Sequence, residues 1–236
     1  MKTISKGKEK EKRKKLKSLN KIDTSDKIVN ITANDGKIKA ENGYFETSFY
    51  FNDFYDGKKV NAFIKNVEKT IRTSDEYSRY IDYLKNEIGL DYCMVMPNID
   101  DDKASIEMHH GPILTLYDYC EIIVYSLKKR KERVNTFIIA NLVLKAHYAN
   151  IVQVVMLSKT THSLVHEGKI FIHPSQAWGD LNKFLELYGN GMSSEQIKTF
   201  NTYVQLSKKQ GSCDNGILEY DKILNWRKSN DLFSDN

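Results

Sequence analysis

The residues with the clearest chemical potential are the six histidines, and all of them fall between positions 109 and 173: His109, His110, His147, His162, His166 and His173. His109 and His110 are adjacent in a run with strand character, so their side chains point to opposite faces. One can ligate a metal while its neighbour faces a substrate. His162 and His166 lie four apart in a helical pattern, on one face and able to share an ion. Glu107, two residues before His109, shares that strand face and would orient a ligand imidazole. Zinc proteases of the H-E-x-x-H type use the same spacing but need Glu directly after the first histidine as general base. Ser163 stands there, which argues against that chemistry. His147 and His173 are isolated and read as structural. The sequence shows no Gly-rich phosphate loop and no Ser/His/Asp or Cys/His nucleophile pattern.

The order of these segments, Ile106-Glu107-Met108-His109-His110-Gly111-Pro112 and then QVVMLSKTTHSLVHEGK over residues 153–169, resembles the HNH endonuclease family, most closely its colicin-type DNase branch. The resemblance implies a ββα-metal unit in which His109, His162 and His166 bind one divalent ion. The fourth position is then left for water or a phosphate oxygen. Three nitrogen ligands suit zinc or another transition metal, with magnesium a less suitable alternative because it prefers oxygen. By the same resemblance His110 is the general base, and Gln153 stands where the family has the Asn that pins the base-orienting loop. The implied activity is endonucleolytic hydrolysis of DNA phosphodiesters, with RNA as the other substrate, leaving a 5′ phosphate and a 3′ hydroxyl. The connection from His110 to Gln153 is longer than the family's and reads as an inserted helix pair, Leu116–Tyr148. A bacteriophage origin is the matching expectation. The alternative from another class is a non-catalytic, metal-stabilised nucleic-acid-binding or phage structural protein that keeps the histidines as a folding staple.

The elements that must position these residues follow from pattern. Residues 27–52 alternate around Asp35-Gly36 and Asn42-Gly43, hairpin signals that predict a three-stranded meander. Helical periodicity covers 59–72 and 74–88, the second opening on Ser74 and closing at Gly89. Tyr92–Met96 and Ala104–His110 are expected to pair as strands. Helices are expected at Leu116–Lys131, Val134–Tyr148 and Ser158–Glu167, with strands at Val152–Met156 and Lys169–Ile172. Further helices are expected near 176–188, 193–208 and 216–228. The fold class is α+β, with an arm over 1–24, an accessory meander-plus-helices unit over 25–89 and the metal domain over 90–236, enlarged by helices at about 116–148.

Charge is unevenly placed. The 236 residues carry 36 Lys+Arg and 31 Asp+Glu, a net of +5, yet residues 1–21 alone hold ten Lys+Arg and two Glu. The remaining chain is therefore net negative. An arm with Lys12, Arg13, Lys14 and Lys15 is an electrostatic hook for DNA or another polyanion. Lys128, Lys129 and Arg130 form a second cluster able to meet backbone phosphates. The aromatic run Tyr44–Tyr55 reads as core packing more than as a base-stacking face. No apolar run is long enough to span a membrane, and the basic start leads into no apolar segment of a secretory signal. Cys93, Cys120 and Cys213 form no CxxC pair, so the expectation is buried thiols in the cytoplasm of a bacterial or phage-infected cell.

Overall fold

Helix-period apolar stripes dominate the sequence, and helices build most of the molecule. The computed structural model describes residues 48–210. In chain order the elements are β1 (Ser48–Phe49), α1 (Gly57–Arg72), α2 (Asp75–Tyr83), β2 (Ile106–His110), α3 (Leu116–Arg130), β3 (Val134–Asn135), α4 (Thr136–Tyr148), β4 (Val154–Ser158), α5 (Lys159–His166), α6 (Leu181–Tyr188) and α7 (Ser194–Gln210). The α+β class holds. Of the expected meander over 27–52, residues 48–52 are described: Ser48–Phe49 is the short strand β1 and Phe51–Tyr55 turns as a 3₁₀ helix, not a strand. Residues 27–47, the basic arm and the helix near 216–228 lie outside the described residues.

Local chemistry starts the helices where the pattern places them. Asp56 accepts the amides of Lys58 and Lys59 at the head of α1. Ser74 accepts the Tyr77 amide to open α2, and Asn135 accepts the Ile138 amide to open α4. Thr115 and Asp118 make a reciprocal capping box on α3, 3.2 Å from the Asp118 amide to the Thr115 hydroxyl and 2.7 Å from the Thr115 amide to the Asp118 carboxylate. Each such cap contributes about 1 kcal/mol. The predicted helix over 74–88 is one α-helix finished by a wider π turn, Leu84–Ile88, which ends at Gly89 with φ of 85°. A backbone in that left-handed region favours glycine.

One continuous set of buried residues runs from Phe49 to Val204, with Tyr80, Tyr119, Phe184 and Phe200 fully enclosed. α1 packs on α3 and α4, so the helices expected in the accessory unit share this core with the elements that follow residue 90. α4 shows why it is central: Ile139, Val143, Leu144, Ala146 and His147 are all buried on a helix with almost no polar face.

Two strand expectations are corrected. β2 does not pair with Tyr92–Met96; it pairs antiparallel with β4, His109 opposite Val155 and His110 opposite Val154. All five β4 residues are buried, and such a strand buries more apolar surface against β2 than the half-exposed 92–96 segment would. That segment instead makes a single bridge, Tyr92 to Asp100, and sends the Met94 amide to the Met156 carbonyl on the outer side of β4. Lys169–Ile172 is irregular chain, not a strand. The outer edge of β4 next to Val154 is taken by Trp178, which exchanges two backbone hydrogen bonds with Val154.

Candidate metal centre

Alternation along β2 separates two sets of side chains. Ile106, Met108 and His110 are buried, while Glu107 and His109 are half-buried on the opposite face. α5 starts directly from the end of β4, with Ser158 capping the Thr161 amide, and so lies beside β2. His162 and His166 sit one turn apart on its near face. The result is that one ligand atom from each of His109, His162 and His166 lies within 4.8 Å of the others. The Nε2 atoms of His162 and His166 are 3.0 Å apart. The rings of His162 and His166 lie 5.0 and 5.1 Å from that of His109.

Glu107 completes the arrangement. Its carboxylate accepts a hydrogen bond from Nδ1 of His162 at 2.7 Å, which turns the unprotonated Nε2 towards the other two histidines. This carboxylate–imidazole pairing is the usual way a protein orients a metal ligand. Burial, with the two neighbouring imidazoles, holds the pKa of His109 down to about 4. That histidine is therefore neutral near pH 7, the form that binds a cation. Gly111 leaves the room for its ring: a Cβ there would stand 3.1 Å from His109 Cδ2 and Nε2. The donor set of three imidazoles fits zinc or another transition ion.

His110 lies on the buried face of β2, away from the solvent-facing place the resemblance implied for it. It is buried in the core, and its Nε2 meets Nε2 of His147 at 2.9 Å. Nδ1 of His147 in turn donates to the Val143 carbonyl at 2.7 Å, so the proton between the two histidines belongs to His110. Tyr77 stacks on the His110 ring. Burial, with His147 beside it, keeps His110 well below its ordinary pKa. A side chain in that position cannot reach water bound to an ion on the other face of β2. The sequence correctly separated the two faces but misjudged which environment the second one meets.

Gln153 is buried just before β4. Its amide donates to the Tyr119 hydroxyl at 2.9 Å and its carbonyl accepts from Gly111 at 3.4 Å, so it secures the end of the strand pair through its backbone. Its side-chain Oε1 is enclosed with no hydrogen-bond partner among the described residues. The basic cluster is similarly engaged. Lys128 lies over the ring of Phe54 at 4.4 Å, Lys129 donates to the Asn190 carbonyl, and Arg130 donates to the Leu187 carbonyl. Lys129 and Arg130 tie the end of α3 to the end of α6 and the turn after it, while Lys128 packs on the aromatic segment ahead of α1. His173 caps a short 3₁₀ turn, and Cys93 and Cys120 are buried free thiols. Cys213, Lys12, Arg13, Lys14 and Lys15 lie outside the described residues. The Glu107–His162 bond and the His110–His147 pair are the two contacts that sequence reasoning did not supply as pairs, because each joins segments tens of residues apart.

Comparison with protein-family models matches the sequence to the bacteriophage G278-like virion proteins over residues 12–230. This overturns the expected membership of the HNH endonuclease family, whose short motif is reproduced in spacing alone. The bacteriophage association stands, and the family points to the phage particle in place of the expected cytoplasmic setting. No curated protein and no solved structure matches the chain. Among the described residues no helix is long and apolar enough to cross a membrane.

Proposed function

Since this chain belongs to the bacteriophage G278-like virion protein family, we propose that it is a non-catalytic structural component of the phage particle, with β2 pinned to α5 by one divalent transition-metal ion on His109, His162 and His166. The observation that carries this reading is the convergence of three imidazoles from two elements, while His110 is sealed in the core. An ion shared by β2 and α5 joins residues more than fifty positions apart, and its binding energy adds to folding energy. The basic arm, with Lys12 to Lys15, is proposed to touch packaged DNA through phosphate contacts.

The test is zinc content together with thermal melting. Purified protein should carry about one zinc per chain, and free zinc at about 100 times Kd should add about 2.7 kcal/mol. For a chain of this size that raises Tm by about 5–10 °C. His166→Ala removes an exposed ligand, so it should abolish the zinc shift while leaving the metal-free melt unchanged. Protein that holds no divalent ion, and melts identically in zinc and EDTA, refutes the staple.

A hydrolytic reading keeps the same ion, supported by the three-imidazole donor set, which would leave a position for water, and by the Glu107–His162 pair. It would require metal-bound water to attack a DNA phosphodiester without a histidine base. Plasmid DNA that stays intact with the zinc-, manganese- or magnesium-loaded protein rejects it, and the structural reading expects that result.

A further inference from the structure

We infer that the ion takes its fourth protein ligand from a second copy of this chain, the exposed carboxylate of Glu167, making the centre a joint between subunits; this rests on the metal-staple reading above. A structural zinc is enclosed by four protein ligands, whereas a catalytic one keeps a position for water. Among the described residues only His109, His162 and His166 bring ligand atoms together at this point. Glu107 holds the far nitrogen of His162 and so supports a ligand instead of being one. His110 faces the core. A cleft of about 350 Å³ is lined by Asp91, Tyr92, Pro97, Asp100, Asp101 and Asp102, and one of about 420 Å³ by Tyr92, Met94, Pro97, Ser175 and Gln176. Neither includes a histidine of the centre.

The open side faces outward. His109 and His162 are half-buried, while His166 and every residue from Glu167 to Lys169 are exposed. In a two-fold pair the same patch meets itself, so a donor from the second copy must come from the patch that carries the centre. Glu167 meets that condition, directly following His166. Its only described partner is Lys169, at 2.6 Å in an ion pair exposed on both sides. Exposed pairs of this kind hold a carboxylate weakly, and zinc accepts carboxylate oxygen at about 2.0–2.2 Å. A particle assembled from repeated subunits would supply the second copy.

The experiment is light scattering and zinc analysis of the full chain, with EDTA or with one equivalent of zinc. The expected result is a monomer in EDTA and a dimer with two zinc ions. Glu167→Gln should still bind one zinc through the three histidines but remain monomeric, with affinity lowered at least tenfold. Mixing Glu167→Gln with His166→Ala should restore a dimer carrying one zinc, because the pair contains one complete site. Wild-type protein that binds one zinc and stays monomeric overturns the inference and leaves the staple standing. Zinc-driven dimerisation of Glu167→Gln equal to wild type also overturns it. Absence of zinc binding instead refutes the underlying metal reading.

Discussion

Mild acid should weaken this protein through two histidines that do not meet solvent. His147 is fully enclosed at the end of α4, and burial lowers its pKa to about 4 from an ordinary 6.5. An unfolded chain therefore binds a proton at this residue between about pH 6.5 and pH 4, while the folded chain does not. The corresponding stability is fully present above about pH 6.5 and is lost as pH falls through that window. A depression of about 2.5 units at 1.36 kcal/mol each is about 3 kcal/mol in all, of which about 2 kcal/mol is lost between pH 7.5 and pH 5. His110 is displaced in the same direction and steepens the fall. Urea unfolding across this range, in EDTA and at constant ionic strength, measures it above the pH at which most carboxylates protonate. The matched variant is His110→Leu/His147→Leu, which replaces both partners with apolar groups of similar size and orphans neither. Its stability should fall by at least about 2 kcal/mol less than wild type over the same interval. His109 is also depressed and is left in place by this variant, so the difference between the two proteins isolates the buried pair. A wild-type profile that is flat above about pH 5, or a double variant with the full wild-type slope, refutes the reasoning.

Other outcomes follow from the same contacts. His110→Ala alone should cost about 2–4 kcal/mol in urea unfolding, since it leaves a cavity beside Tyr77 and removes the donor to His147, yet it should retain the zinc-induced rise in Tm. A His110→Ala variant as stable as wild type would place that side chain outside the core. Deleting residues 1–21 should weaken DNA binding in filter-binding or anisotropy titrations and flatten its dependence on salt; an unchanged salt slope would show that the arm meets no phosphates. Gly179→Ala should destabilise strongly, by about 3 kcal/mol or more, because its φ is 110° and a Cβ would stand 2.2 Å from the Val152 carbonyl oxygen. Gly57→Ala, with open space around it at the first position of α1, should instead stabilise by about 0.5–1 kcal/mol. Equal melting temperatures for those two variants would contradict the described backbone.

Much of this protein was legible before any contact was known. α1, α3, α5 and α7 stand close to where apolar spacing and capping residues placed them, because both signals are local and act within a few residues. The separation of His109 from His110 followed from strand geometry alone, and the shared face of His162 and His166 from the helical period. The partner of β2 was not legible. Two apolar segments competed for it, and β4 won because all five of its side chains are enclosed, a property set by the helices packed around it. The short histidine motif was misleading about kinship for a related reason: its spacing reports how residues share a face, and unrelated chains that need three imidazoles at one point can arrive at the same spacing.

Sequence by itself determined which side chains could meet an ion, since the periods of strand and helix decide what shares a face. It also determined that positive charge is concentrated near the N-terminus, ahead of the described residues. Tertiary structure alone decided what each histidine does. His109 lies beside α5, where His162 and His166 converge on it, and His110, one residue on, lies beneath α4, where His147 meets it. The difference is one of surroundings, an open rim where a cation can bind against an apolar interior where a charged imidazole is strongly disfavoured. Surroundings of that kind are built by segments distant in the chain, so no local pattern encodes them.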